Sequence, residues 1–338
     1  MRNATETRGR RAGALAFWMF SMAAGCGEAL PAAPCVPVVA AKAESAVAED
    51  GRLPPAKQIH VKTPDGLSIA VQEWGNPRGP EVLFIHGLSQ SHLSWAPQIG
   101  SSLAKDFRIV TYDLRGHGVS DKPIEAKYYE EARRWGDELW AVIEGAGLRH
   151  PVVVGWSLGG VVILDYLRAY GDGALGGVVF VDAVTRLDRA LLGEMPPLWS
   201  EDLSTRIGAM RQFLRDCFVV PPPAAVFETM LVYNAMVPVE VQGAVGHIPL
   251  DGADESLRAL SVPALVIHGA EDRLAKVAMA RRTASLVRGA RLSVYEGVGH
   301  APFYEARERF NAELGGFLRE VAGKREGGSA LGGRDVRQ

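Results

Sequence analysis

Short, continuous apolar runs recur along this chain, each closing on a glycine or a small polar residue: VLFIHG, FRIVTYDLRG, PVVVGWS, GVVFVDA and PALVIHG. A strand with one wet face alternates apolar and polar residues. Unbroken apolarity marks strands covered on both faces, as in parallel sheets sandwiched by helices. Helix-like segments separate the runs. The clearest spans residues 126–146, where Leu139, Val142 and Ile143 form an apolar stripe beside charged neighbours. Strand–helix alternation of this kind predicts a doubly wound, mostly parallel α/β sheet with right-handed crossovers. QIHVKT and LSIAVQEW flank Pro64-Asp65-Gly66 and predict a hairpin, and RLSVYEG supplies a last strand. Together these make an eight-stranded sheet, with a final helix from about Ala306 to Val321.

One stretch interrupts the alternation. Residues 185–260 carry three consecutive prolines, Pro221 to Pro223, and a run of aromatic and methionine side chains, but no clear strand. They read as a helical insertion between two core strands. Residues 323–338 are rich in glycine and charge and read as a flexible tail. The main domain therefore covers residues 56–322.

Residues 1–55 have a different character. A basic cluster, Arg8, Arg10 and Arg11, precedes the apolar run AGALAFWMFSMAAGC. That run is shorter than the about 20 residues a spanning helix needs, and it fits an export signal. Met22-Ala23-Ala24-Gly25-Cys26 resembles a bacterial lipobox, with Ala23 where leucine is usual. The expectation is export to a bacterial periplasm, either by ordinary cleavage or as a lipoprotein tethered to the membrane through Cys26. A cytoplasmic chain is the alternative. Residues 27–55, rich in Ala, Pro and Val, read as a linker. Cys35 falls in that linker and Cys217 in the body, so three cysteines give no disulfide scaffold. Lys plus Arg number 37 against 39 Asp plus Glu, a net charge of -2, which argues against a nucleic-acid partner.

The chemistry concentrates in a few places. Gly155-Trp156-Ser157-Leu158-Gly159 matches G-x-S-x-G, preceded by an apolar strand and followed by the helical segment GGVVILDYLRAY. In that context the motif is a sharp strand–turn–helix bend that lifts a nucleophilic serine from the sheet edge. A serine hydroxyl needs a base. Of eight histidines, His300 is the best placed, in the glycine loop Gly297-Val298-Gly299-His300 after the last strand. His86 and His268 end strands and read as structural, and His117 as bracing a loop. The base needs a carboxylate to fix its tautomer. Asp272 follows the strand PALVIHG; neighbouring Glu271 is the fallback, and Asp182, ending GVVFVD, is a competitor. The order Ser157, Asp272, His300 is that of α/β-hydrolases. Backbone N–H groups of Leu158 and Leu88 are the expected oxyanion donors, and Trp156, Leu88 and Phe303 the expected substrate contacts. No metal-ligand spacing and no phosphate loop occurs, so no metal and no cofactor are expected.

From about Lys57 to Val321 the chain resembles the α/β-hydrolase superfamily. The motifs that carry the resemblance are His86-Gly87, Asp113-Leu114-Arg115-Gly116-His117-Gly118-Val119-Ser120, Gly155 to Gly160, His268-Gly269-Ala270-Glu271-Asp272 and Gly299-His300-Ala301-Pro302-Phe303. Its flavour is that of bacterial carboxylesterases and the cofactor-free haloperoxidases. The resemblance implies that residues 185–260 form a cap over the active site. Those haloperoxidases usually carry a proline where this chain has Ser89, which lowers the expectation of perhydrolysis. Ser157 argues against epoxide hydrolases and haloalkane dehalogenases, which use an aspartate nucleophile. The expected activity is hydrolysis of a small-molecule carboxylic ester with a small or medium apolar acyl group. The alternatives are a perhydrolase, a lactonase, a peptidase or a lyase on the same triad, and a non-catalytic binding protein of the same descent.

Overall fold

Every apolar run becomes a strand. The computed structural model describes residues 55–331, and their side chains as far as residue 325. The expected export signal, the lipobox cysteine Cys26 and most of the linker lie outside the described residues. The strands are β1 (Lys57–Lys62), β2 (Ser68–Gly75), β3 (Glu81–Ile85), β4 (Arg108–Tyr112), β5 (Val152–Trp156), β6 (Gly177–Val181), β7 (Ala264–Gly269) and β8 (Arg291–Tyr295). They form one sheet in the order β1-β2-β4-β3-β5-β6-β7-β8. β1 and β2 make the hairpin predicted around Pro64-Asp65-Gly66, and Gly66 takes the left-handed φ of 89° that the turn requires. β2 also runs antiparallel to β4, and every other neighbour pair is parallel.

The centre of the sheet is as dry as its composition demands. All residues of β5, β6 and β7 are buried. Side chains alternate between two cores: Leu83 and Val153 join one, Phe84 and Val154 the other. The chain crosses from β3 to β4 on one side and reaches β5 on the other. The order therefore reverses at β3 and β5, and ligands of open α/β sheets bind at the carboxyl ends of such a pair.

Helices cover both faces. α1 (Ala96–Ile99) and α2 (Leu103–Asp106) connect β3 to β4, and α3 (Lys127–Glu130) and α4 (Arg134–Gly145) precede β5. The single helix expected over 126–146 is thus broken. Arg133 adopts φ 74°, and the Asp165 carboxylate accepts the N–H groups of Arg133 at 3.3 Å and Gly136 at 2.8 Å. A side chain from the neighbouring helix, α5 (Leu158–Tyr170), therefore caps α4 at the break.

The insertion between β6 and β7 holds α6 (Leu203–Asp216), α7 (Ala224–Ala235), α8 (Val239–Ala244) and α9 (Ala253–Ala259). Its only strand-like feature among the described residues is an isolated bridge between Leu192 and Ala275. α9 packs on α5 and on α10 (Val277–Leu286), so the end of the insertion belongs to the helical layer of the core. After β8 come α11 (Pro302–Glu305) and α12 (Arg307–Leu331). The final helix was expected to stop at Val321 and give way to a loose tail, but it continues to Leu331. Extending a formed helix is far easier than starting one, and Lys324 adds an i,i+4 contact to Glu320 at 2.7 Å.

Candidate active site

The site begins with a strained backbone. Ser157, directly after β5, has φ 53° and ψ −112°, a combination that a non-glycine residue adopts only when its surroundings force it. Its N–H donates to Val181 O at 3.1 Å, and its carbonyl accepts N–H groups from Gly160 at 2.9 Å and Val184 at 3.0 Å. Close packing explains the flanking glycines. A Cβ on Gly155 would lie 2.6 Å from Ile163 Cδ1, and one on Gly159 would lie 2.9 Å from Ile85 O. α5 starts at Leu158, so the N–H groups of its first turn have no acceptor within the helix. The loop after β3 runs alongside: a Cβ on Gly87 would sit 3.1 Å from Ser157 Cβ. Leu88 and Leu158 thus flank Ser157 from two sides.

That loop is held by two buried histidines. His86 donates from Nδ1 to Gly87 O at 2.8 Å and accepts the Leu114 N–H at Nε2, 3.0 Å away. His117 donates from Nδ1 to Arg115 O at 2.8 Å and accepts the Ser89 N–H at Nε2, 3.0 Å away. Each ring thus needs one protonated and one bare nitrogen. Burial holds both neutral, pushing His86 down to about 4 and His117 down to about 3.

His300 is brought to the same end of the sheet by the loop after β8. Its Nδ1 lies 2.7 Å from Asp272 Oδ2, and its carbonyl oxygen accepts the Trp156 indole N–H at 2.7 Å. Asp272 Oδ1 accepts the N–H groups of Leu274 at 2.8 Å and Ala275 at 3.0 Å. Burial would raise the Asp272 carboxyl, but His300, His268 and the Ala275 N–H together hold it below its ordinary value. An ionised Asp272 accepts a hydrogen bond from His300 Nδ1–H, which favours the tautomer whose Nε2 lone pair is free to act as a base.

The competing carboxylates sit elsewhere. Glu271 is exposed, and its backbone N–H donates to Val298 O at 2.9 Å. Asp182 is fully buried beneath the site at φ 42°, and its Oδ1 accepts the Gly269 N–H at 2.9 Å. Burial first, and then the charge of Asp272, push the Asp182 carboxyl well up. Asp182, His268 and Asp272 bring ligand-type atoms within 4.8 Å of one another. His268 Nε2, the nitrogen facing both carboxylates, donates to Ala275 O at 2.7 Å and so cannot also bind a metal.

Ser157 and His300 open into a cavity of about 930 Å³ that Leu88 and Leu158 also line. The far wall comes from the insertion, with Leu187, Leu192, Met195, Trp199 and Phe213. Leu88 is where a substrate contact was expected. Trp156 and Phe303 are not among the lining residues, which corrects the reading of both as substrate contacts. Trp156 follows Val154 by two residues on β5 and shares its face of the sheet. Phe303 packs on Trp95 and Trp156 with ring centroids 4.6 and 4.8 Å apart. Both support the His300 loop from below. Sequence reasoning missed two side chains that touch this machinery. Glu305 accepts the Gly299 N–H at 2.8 Å, and Gln242 donates to Ser89 Oγ at 3.1 Å. Neither lies in a motif, and only the fold brings them there.

An eight-stranded α/β sheet with a serine on a strained bend at its switch point is the architecture of the α/β-hydrolases. The model of the "Alpha/beta hydrolase family" matches residues 82–313, and the chain belongs to that family. It is 28% identical over 276 residues to the bifunctional esterase/perhydrolase DCH of Acinetobacter calcoaceticus, covering 77% of this chain and 99% of that protein. It is 27% identical over 286 residues to a non-heme haloperoxidase of Rhodococcus erythropolis, covering 76% and 98%. Among solved structures, an aryl esterase candidate from Burkholderia cenocepacia shares 42% identity at a TM-score of 0.77, covering 79% of this chain and all of that one. The esterase RhEst1 from Rhodococcus sp. ECU1013 shares 32% at 0.73, covering 78% and 99%. The protein is an enzyme of the α/β-hydrolase family, similar to esterases and to non-heme haloperoxidases.

Proposed function

We propose that this enzyme cleaves carboxylic esters of small or medium apolar acyl groups through an acyl-enzyme on Ser157. The observation that carries the reading is the opening of Ser157 and His300 into one cavity, with His300 Nδ1 held by Asp272 at 2.7 Å. Ser157 Oγ adds to the ester carbonyl while His300 Nε2 takes its proton. The oxyanion lies between the N–H groups of Leu88 and Leu158. Collapse breaks the acyl–oxygen bond, and His300 returns the proton to the departing alkoxide. Water then adds to the acyl-enzyme by the same route and releases the acid. The apolar wall of Leu187, Leu192, Met195, Trp199 and Phe213 supports an apolar substrate portion. The volume sits near the top of the about 300–1,000 Å³ range of ligand pockets.

A second reading, perhydrolysis, is supported by the bifunctional esterase/perhydrolase relative. Hydrogen peroxide would replace water in the second step and release a peracid. Export through residues 8–26 is carried by those residues alone, and mass spectrometry of the mature N-terminus tests it.

A panel of nitrophenyl esters of increasing acyl length, with Ser157→Ala as control, tests the main reading. Turnover of short to medium esters, lost in the variant, is expected. An active-site phosphonate should label the wild type. A folded wild type that neither turns over esters nor takes the label ends this reading, and peracid formation on adding peroxide decides the second.

A further inference from the structure

Two carboxyl groups lie close together in a buried part of the site. Asp182, Asp272 and His268 bring one ligand-type atom each within 4.8 Å of one another, and all three are buried. Like charges that close in a dry site do not both form at ordinary pH. Hydrogen-bond donors gather on one of the two acids. Asp272 Oδ1 accepts the N–H groups of Leu274 and Ala275, and Oδ2 faces His300. Asp182 Oδ1 accepts from Gly269, and its Oδ2 has no hydrogen-bond partner among the described residues. His268 faces both acids. Fully buried on β7, it donates from Nε2 to Ala275 O at 2.7 Å, while its Nδ1 has no partner among the described residues. The same Nε2 lies 3.3 Å from Asp272 Oδ2 and 3.7 Å from Asp182 Oδ1. Turning the ring over would set a carbon against the Ala275 carbonyl, so the proton belongs on Nε2.

We propose that His268 is a positioning residue for the triad acid: its Nε2–H anchors Ala275 and keeps the negative charge of the carboxyl pair on Asp272 rather than on Asp182. The proposal rests on the ester-hydrolase reading, because the place of that charge matters only if Asp272 orients His300 as a base. His268 acts by two routes. Its hydrogen bond fixes the carbonyl of Ala275, the residue whose N–H binds Asp272 Oδ1 at 3.0 Å. The positive end of its N–H dipole also lies nearer to Asp272 than to Asp182. Burial holds the ring below its ordinary value and so neutral, which makes it a dipole and not a third charge. Without that N–H, part of the charge moves to Asp182, and His300 loses part of the partner that sets its tautomer. A side chain that merely filled space at the end of β7 would act on both acids alike. The effect of losing it would then not depend on whether Asp182 can take the charge.

The test measures kcat and KM for nitrophenyl butanoate on wild type, His268→Leu, His268→Gln, Asp182→Asn and the double variant of His268→Leu with Asp182→Asn. His268→Leu should lower kcat between about ten- and a hundredfold, with KM little changed. His268→Gln, which keeps an N–H donor, should retain most of the activity. An amide at position 182 cannot take the charge, so Asp182→Asn should raise kcat several-fold in the His268→Leu background, a coupling of the kind found between neighbouring residues. A double variant no faster than His268→Leu overturns the proposal. Equal losses in His268→Leu and His268→Gln overturn it too, as does full activity in His268→Leu. If His268→Leu fails to fold by circular dichroism, His268→Phe, which keeps a ring without the N–H, takes its place. Nitrogen NMR of isotope-labelled histidines in the wild type needs no variant. His268 should hold the Nε2–H tautomer across the pH range of activity, and a His268 that titrates there or carries its proton on Nδ1 overturns the proposal. Any of these contrary results in an enzyme that hydrolyses the ester defeats this inference alone. No hydrolysis of any ester by folded wild type defeats the reading beneath it.

Discussion

The indole N–H of Trp156 donates to the backbone carbonyl of His300 at 2.7 Å. The residue before the candidate nucleophile thereby holds the residue proposed as its base. The contact joins the end of β5 to the loop after β8, two segments 144 residues apart in sequence. Trp156→Phe keeps most of the ring packing and removes the donor. It should lower kcat roughly tenfold, the order of one buried hydrogen bond left unmade, with KM little changed. Steady-state kinetics on a nitrophenyl ester measures the split. A rise in KM at constant kcat would instead point to a substrate contact.

The two buried carboxylates at the site should not be equivalent. Asp272 touches His300, whereas Asp182 accepts from Gly269 N–H and its carboxyl is pushed well up by burial. Asp272→Asn should cut kcat on the order of 10⁴-fold by presenting the wrong tautomer of the imidazole. Asp182→Asn should cost far less. Equal losses in two folded variants would mean that the acid has been misassigned.

Glu305 links the histidine loop to the insertion. Its carboxylate accepts N–H groups from Gly299 at 2.8 Å, Val219 at 2.7 Å and Val220 at 2.9 Å. Glu305→Gln replaces one acceptor oxygen with a donor that faces a donor. A small misplacement of His300 should then lower kcat by between about ten- and a hundredfold. Single-turnover acylation rates, set beside the melting temperature, separate this from simple unfolding. A variant with full acylation rate would show that the clamp is dispensable.

Acid should destabilise the loop that carries Leu88. His117 is buried neutral, down to about 3 from an ordinary 6.5, with burial as the main cause. Between those values only the unfolded chain takes the proton, so stability falls as pH drops through that window. The slope is roughly 1.4 kcal/mol per pH unit for one such group. Glu138 works in the opposite sense, since burial pushes it up to about 7 from an ordinary 4.5 despite Arg115. The readout is therefore the difference between wild type and His117→Asn in urea melts from pH 7 to pH 4. The wild type should lose stability more steeply, and parallel curves would contradict the assignment.

Much of this molecule was readable from local pattern. Unbroken apolar runs such as PVVVGWS can be buried on both faces only in a sheet of this kind, so the strands and their parallel arrangement followed. The bend at Ser157 was readable because Gly155 and Gly159 admit the close approach of Ile163 and Ile85, which any Cβ would obstruct. Local pattern failed where a distant side chain intervened. The helix expected over 126–146 breaks because Asp165, on another helix, caps it. Trp156 and Phe303 looked like substrate contacts because they adjoin motif residues, but sheet alternation and ring packing turn both into the core.

The amino-acid sequence by itself determined the fold, the order of Ser157, Asp272 and His300, and the loops that present them. Each depends on periodicity, turn chemistry or a spacing within a few residues. Only the tertiary structure decided which carboxylate meets the imidazole, which histidines hold the oxyanion loop, and that Gln242 and Glu305 reach the site at all. Those contacts join segments far apart in sequence, Gln242 and Ser89 by 153 residues and Glu305 and Val219 by 86. No local pattern encodes such a meeting, because it is fixed by how the helices and loops pack once the sheet has formed.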